Sequence, residues 1–123
     1  MEYRYDDRTL DAGTFLALVQ QVWPGEYDAE KTRAALDRTI NITAWDGGRL
    51  AGCLRILTDG CYFGTITELL VLPAYQGRGI GSALLRLARE HTPTQLYFGA
   101  DAFYEKNGCR RGLPAYTIEK PRL

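Results

Sequence analysis

The chain has 123 residues, which is enough for one compact domain and too few for two. Hydrophobic residues make up 46% and charged residues 24%, a composition typical of a globular protein and not of a disordered or fibrous one. Fifteen basic residues balance fifteen acidic ones, so net charge indicates neither a nucleic-acid partner nor binding to an anionic membrane. We therefore expect a single domain over residues 1–123.

The cysteines and the amino terminus indicate a compartment. Cys53, Cys61 and Cys109 are odd in number and too widely spaced for a C-x-x-C metal or redox motif, which favours free thiols in a reducing environment. The polar start, residues 1–7, lacks the long apolar stretch of a signal peptide or a membrane span. Both features predict a cytoplasmic protein.

The first forty residues predict a strand and two helices. Residues 2–5 form the strand, and Thr9 is the predicted cap of a helix whose apolar face is formed by residues 15, 18, 19 and 22. This helix should end at residues 23–25, because proline disfavours helical geometry in the residue before it. Asp28 is predicted to cap a second helix that runs to about Thr39.

An antiparallel meander is predicted next. Residues 40–45 and 49–57 flank Asp46-Gly47-Gly48, and Asp-Gly is the chemistry that tight hairpin turns require. A second turn at Asp59-Gly60 leads into a strand from residue 61 to 72, which Pro73 ends because it cannot donate to a ladder.

The second half of the chain returns to alternating helices and strands. From Gln76 to about His91 the apolar residues follow a helical period, and residues 94–98 predict a strand parallel to the one before the helix. Residues 100–107 predict a short helix, and 109–112 and 115–119 the last strands. The predicted fold is therefore α/β, with a mixed, mostly antiparallel central sheet flanked by helices in the order β-α-α-β-β-β-α-β-α-β-β.

The most informative stretch is a strand, a tight turn and a helix start that is rich in glycine, over residues 69–81. The first N–H groups of a helix lack partners within it and carry partial positive charge, so they bind anions where no side chain blocks the approach. Each glycine within a helix costs ~1 kcal/mol relative to alanine, so three in five residues require a reason. Access of a phosphate to the backbone is one reason, and close packing is the alternative.

Two common phosphate loops do not fit this stretch. A dinucleotide G-x-G-x-x-G motif would need glycine where Ser82 or Leu84 stands, and the Gly-Lys-Ser/Thr ending of a P-loop is absent. The Q/R-x-x-G-x-G/A signature does fit, as Gln76-Gly77-Arg78-Gly79-Ile80-Gly81, and the preceding Val71-Leu72-Pro73 matches as well. In these residues the chain resembles the GCN5-related N-acetyltransferases (GNAT family).

The resemblance implies a cosubstrate and a reaction. The turn would hold the pyrophosphate of acetyl-CoA, and the backbone of Leu70, Val71 and Leu72 would pair with the pantetheine arm like an added strand. The implied activity is transfer of the acetyl group to a primary amine of a small molecule or peptide, without a metal. A non-catalytic acyl-CoA-binding module on the same fold is the alternative, and members of the family often form homodimers.

A second segment, residues 103–109, is similar to the family's F-Y-x-x-x-G-F pattern, with Cys109 in place of the last aromatic residue. In this pattern Tyr104 would donate a proton to the departing CoA thiolate. A phenol with a pKa of about 10 suits that task for a thiol with a pKa of about 8.5. The alternative is that Tyr104 is one packing aromatic among eight tyrosines.

Glu68 is the carboxylate nearest to the predicted pantetheine-binding strand segment. We expect its side chain on the same face as those of Leu70 and Leu72, from where it could remove the amine's proton through a water molecule. A strand glutamate in an ordinary ion pair is the alternative.

The remaining ionisable candidates have structural explanations. Asp59 suits the turn, and His91 suits the end of a helix, where a cation is favourable. By the resemblance, residues that contact the acceptor would include Trp23, Glu26 and Tyr27, and also Tyr62. Trp23 is expected to contribute to the core as well.

Overall fold

The computed structural model describes residues 1–97 and shows a sheet with helices on both faces. The elements are β1 (Glu2–Arg4), α1 (Ala12–Val22), α2 (Ala29–Arg38), β2 (Ile40–Asp46), β3 (Arg49–Thr58), β4 (Gly64–Val71), a single 3₁₀ turn (Pro73–Tyr75) and α3 (Ile80–His91). This order confirms the predicted one as far as α3. The elements predicted from residue 100 onward lie outside the described residues.

The strands are antiparallel neighbours in the order β1-β2-β3-β4. After α3 the chain returns to the outer edge of β4, where Tyr97 bridges Thr65 in a parallel sense. Tyr97 donates its N–H to the carbonyl of Gly64 and accepts the N–H of Ile66, both at 3.0 Å. The parallel crossover predicted for residues 94–98 is thus seen at Tyr97.

The cap of α1 differs from the prediction. Asp11, and not Thr9, caps the helix, and its carboxylate accepts the N–H of Thr14 at 2.7 Å. The N–H of Thr9 donates instead to the carboxylate of Asp7. Thr9 therefore belongs to the segment before the helix, two residues ahead of the cap.

The start of β4 also differs from the predicted one. The strand begins at Gly64, because Asp59 keeps residues 61–63 in the turn. One carboxylate oxygen of Asp59 accepts all three of their N–H groups, at 2.8 to 3.1 Å. The prediction that Asp59 serves the turn is confirmed.

The helices bury their apolar faces on the two sides of the sheet. Arg55 on β3 lies over the ring of Phe15, which places α1 on that face. On the opposite face, a Cβ atom at Gly52 would lie 3.2 Å from side-chain atoms of both Ile80 and Leu84. Glycine at position 52 therefore allows α3 to pack close against the sheet. Among residues 1–97, no helix is long and apolar enough to cross a membrane.

Asp7 ties the segment between β1 and α1 to the sheet. The residue is 5% exposed, and its carboxylate accepts hydrogen bonds from the Thr9 hydroxyl, the Thr43 hydroxyl at 2.7 Å and the Trp45 indole N–H at 2.9 Å. Burial alone would raise the pKa of Asp7, but the hydrogen bonds from Thr9, Thr43 and Trp45 outweigh it and lower the pKa. The ionised carboxylate therefore stabilises the fold.

We predict that Asp7→Asn destabilises the protein, because the amide nitrogen faces donors that then lack an acceptor. Each buried donor without an acceptor costs about 1–3 kcal/mol. Since the pKa of Asp7 is lowered by folding, its contribution is present above the ordinary aspartate value and is lost as pH falls below it. Urea unfolding at neutral and acidic pH, followed by tryptophan fluorescence, measures both effects.

Asp37→Asn is the matched control, because that carboxylate is exposed on α2 and has only a long contact to Arg33. Its free energy of unfolding should stay within about 0.5 kcal/mol of wild type. Equal stabilities for the two variants would contradict the role of Asp7.

Candidate functional site

The connection from β4 to α3 forms an open loop in front of the helix. Gly77 and Gly79 both have left-handed backbone conformations, with φ of 77° and 81°, and Gly79 is the N-cap of α3. Such residues cannot continue a right-handed helix, which explains why α3 begins at Ile80 and not at the predicted Gln76. A Cβ atom at either glycine would meet no atom of residues 1–97 within 4 Å, so the described part of the chain leaves the space before the helix open.

The N-terminus of α3 has free donors. The first N–H bonded within the helix is that of Ala83, which donates to the Gly79 carbonyl at 3.0 Å. No side chain of the described chain caps this end, which leaves the N–H groups of Ile80, Gly81 and Ser82 for a ligand. Unpaired N–H groups at a helix start, together with the helix dipole, favour the binding of an anion.

The end of β4 offers backbone groups to the same side of the molecule. Leu72 donates its N–H to the Ala51 carbonyl of β3 at 2.9 Å. Because an antiparallel ladder alternates, the backbone of Val71 is turned to the outer edge and that of Leu70 to β3. Of the three residues predicted to pair with pantetheine, Val71 is therefore the one that presents its N–H outward.

A bulge at Thr67 divides β4. Arg55 pairs with Glu68 and Ile56 pairs with Ile66, so Thr67 is the extra residue between these pairs. Before the bulge, the outer edge of β4 is bonded to Tyr97. Beyond it, no residue within 1–97 pairs with that edge.

Glu68 is held by Arg55 on the α1 side of the sheet. The guanidinium donates from Nε to one carboxylate oxygen and from Nη2 to the other at 2.8 Å, and Thr67 adds a hydroxyl at 3.0 Å. The two charged side chains are only 17% and 12% exposed. The register places Glu68 and Leu70 on one face, as predicted, because their partners Arg55 and Cys53 are two residues apart on β3.

Arg55 was not singled out from the sequence. Burial would lower the pKa of Arg55, but the hydrogen bond and the charge of Glu68 outweigh burial and raise the pKa. Arg55 is thus a fixed cation beside the candidate base. Its only sequence signal is its place opposite Glu68 in the predicted β3–β4 hairpin, and the bulge obscures that register.

The loop between α1 and α2 exposes aromatic side chains. Trp23 is 53% exposed and Tyr27 is 45% exposed, so the prediction that Trp23 belongs to the core is wrong. The Tyr27 hydroxyl donates to the Trp23 carbonyl at 2.7 Å, and the Gln20 side chain bonds both backbone groups of Gly25. These bonds fix the loop without covering the indole.

Other sequence candidates lie apart from this site. Tyr62 is 90% exposed in the turn before β4, at the opposite end of that strand from the loop at Gly79. His91 packs on the Tyr5 ring at the end of α3, as expected for a structural residue. Burial raises the pKa of the Cys53 thiol, which opposes a nucleophilic role.

Tyr104 and Cys109 lie outside the described residues. Within residues 1–97, no three His, Cys, Asp or Glu side chains are grouped to hold a metal ion.

Solved structures resemble most of the chain. A GNAT-family protein of Xanthomonas campestris pv. campestris superimposes with a TM-score of 0.76 at 22% identity, covering 92% of this chain and 87% of that one. A GNAT-family acetyltransferase of Streptococcus pneumoniae gives 0.71 at 25% identity, covering 96% and 98%. An aminoglycoside 6′-N-acetyltransferase complexed with coenzyme A gives 0.66 at 18% identity, covering 80% of this chain and 61% of that one.

No curated protein sequence matches the chain significantly. The acetyltransferase (GNAT) domain family matches residues 37–110, which include β4, the glycine loop and α3. The match covers more than half of the sequence, and it extends through the segment that contains Tyr104. The chain therefore belongs to the GNAT family of acetyl-CoA-dependent acetyltransferases.

Proposed function

We propose that residues 1–123 form one N-acetyltransferase domain that transfers the acetyl group of acetyl-CoA directly to a primary amine. The observation that carries this proposal is the open, uncapped N-terminus of α3 beside the outward-facing backbone of Val71. One feature suits a pyrophosphate and the other suits an amide chain, and CoA contains both groups. The acceptor is a small-molecule or peptide amine bound in a ternary complex.

In this proposal the glycine loop with α3 and the edge of β4 bind different parts of acetyl-CoA. The pyrophosphate oxygens accept hydrogen bonds from the N–H groups at the start of α3, while Gly77 and Gly79 keep the approach free of side chains. Pantetheine lies along the outer edge of β4 and pairs with Val71, continuing the sheet where Tyr97 leaves off. The residues proposed to form the site are Leu70, Val71, Leu72, Gln76, Gly77, Arg78, Gly79, Ile80 and Gly81.

We predict that Gly79→Asp abolishes acetyl-CoA binding in calorimetry, because the new carboxylate stands before the helix and repels phosphate. Gly60→Asp is a matched control, since Gly60 has a φ of 79° and open space around its Cβ position, like Gly79. Both variants carry about 1–2 kcal/mol of left-handed strain. Only the change at Gly79 should remove binding, and unchanged affinity there would exclude the site.

The acceptor is proposed to approach from the α1 side of the sheet, where Glu68 lies. The α1–α2 loop presents Trp23, Tyr27 and the exposed carboxylate of Glu26. An aromatic face attracts a cation, and a carboxylate attracts an ammonium group. These residues therefore suit an amine that arrives protonated and loses its proton before attack.

During transfer the amine nitrogen attacks the thioester carbonyl, and negative charge collects on the carbonyl oxygen. A main-chain N–H of β4 near Val71 is the proposed donor to that oxygen, since the Leu72 N–H is already bonded to Ala51. Before attack, Glu68 takes one proton from the ammonium group through water, which leaves a neutral amine. When the C–S bond breaks, Tyr104 gives its proton to the sulfur, and the second proton of the amine nitrogen passes through water to the Tyr104 phenolate.

We predict that Glu68→Gln lowers kcat by about 10²–10⁴-fold with little change in acetyl-CoA affinity, if Glu68 is the base. Arg55→Gln breaks the same ion pair but keeps the carboxylate, and it serves as the comparison. Much higher activity in Arg55→Gln than in Glu68→Gln supports a proton-accepting role. Equal losses in the two variants would show that the ion pair itself matters and that Glu68 is not the base.

We predict that Tyr104→Phe lowers kcat by about 10²–10⁴-fold and leaves acetyl-CoA affinity nearly unchanged, because only protonation of the leaving thiolate is lost. Release of the CoA thiol, measured across a library of amines, reports this step. Tyr3→Phe, a change on β1, is the control and should react at the wild-type rate. A full-rate Tyr104→Phe variant would overturn the assignment.

A further inference from the structure

Two arginines from separate parts of the chain meet on one aromatic ring. Arg49 begins β3, directly after the β2–β3 turn, and Arg78 lies between the two left-handed glycines of the loop. Their Cζ atoms lie 5.6 Å and 5.1 Å from the centre of the Tyr75 ring. The Tyr75 ring thus brings a residue of β3 to the loop in front of α3.

Tyr75 itself is firmly held. It is 9% exposed, its N–H donates to the Leu72 carbonyl at 2.8 Å, and its hydroxyl donates to the carboxylate of Asp46. Both guanidinium groups therefore lie near a ring whose position is fixed by the chain around it.

The donors of both arginines are unused within residues 1–97, because neither guanidinium donates a hydrogen bond there. A guanidinium beside an aromatic ring can still donate hydrogen bonds to a ligand. In the part of the chain that the structure describes, neither Arg49 nor Arg78 forms an ion pair with a carboxylate. Asp46 is the nearby anion, and it accepts the phenol at the rim of the ring. The cluster of Arg49, Arg78, Tyr75 and Asp46 carries a net positive charge.

We propose that Arg49 and Arg78 bind the 3′-phosphate on the ribose of CoA, and that they select this cosubstrate over its 3′-dephospho form. This inference rests on the proposed function of the loop. The pyrophosphate has the N–H groups of α3 as donors, which leaves the arginines for the third phosphate. A phosphate monoester has three terminal oxygens and nearly two charges, which suits two guanidinium groups.

The test compares acetyl-CoA with 3′-dephospho-acetyl-CoA in calorimetric titrations. The wild-type protein should bind acetyl-CoA about ten- to a hundredfold more tightly, as expected for charged hydrogen bonds to one phosphate. Arg49→Ala and Arg78→Ala should each weaken acetyl-CoA binding and leave binding of the dephospho form unchanged. In the double variant the preference should fall to about one.

Arg33→Ala is the control, because Arg33 is an exposed arginine on α2, outside the cluster. It should keep the full preference for acetyl-CoA. Retained binding of the dephospho form shows that each variant is folded.

Each contrary outcome has a distinct meaning. Equal affinity of the wild-type protein for both ligands overturns the 3′-phosphate assignment and leaves the proposed function intact. Equal losses for both ligands in Arg49→Ala and Arg78→Ala overturn it too, since the arginines would then contact the pyrophosphate. A wild-type protein that binds neither ligand overturns the proposed function together with this inference.

Discussion

The close packing of α3 on Gly52 fixes the geometry on which the site depends. Ile80, the first residue of the helix, lies against Gly52, and Gly52 is the register partner of Val71. The start of the helix and the end of β4 are therefore neighbours through one residue that has no side chain. Any side chain at position 52 would press on backbone and core atoms at 3.1 to 3.2 Å and separate the two halves of the site.

β4 serves different partners along its two edges and its two faces. Its inner edge pairs with β3 throughout, while its outer edge pairs with Tyr97 only before the bulge at Thr67. The bulge also places Ile66 and Glu68 on opposite faces, although a regular strand would place them together. A hydrophobic residue thus faces the α3 layer, and a carboxylate faces the α1 layer beside Arg55.

The glycine loop and the meander could be predicted because their residues have few other structural uses. Three glycines at a helix start and Asp-Gly pairs between apolar runs each restrict the local backbone strongly. The ion pair of Glu68 with Arg55 could not be predicted, because it depends on a register that the bulge at Thr67 changes.

Other differences from the sequence analysis arise from hydrogen bonds within short segments. Thr9 and Asp11 are both good helix caps, and the contact of Thr9 with Asp7 decides between them. The exposure of Trp23 is set by the hydrogen bonds of its loop, which hydropathy does not reveal. Tyr104 was identified by its motif alone.

The side chain of Gln76 affects how ligands can use the part of the β4 edge that residues 1–97 leave unpaired. The Nε2 atom of Gln76 donates to the Val71 carbonyl at 3.0 Å. Val71 therefore keeps its N–H available as a donor, while its carbonyl oxygen is already bonded. An added polypeptide strand needs both groups at such a position, whereas a single ligand carbonyl needs only the N–H. Gln76 therefore protects the part of this edge that residues 1–97 leave unpaired against pairing with another protein molecule, without closing it to a small ligand.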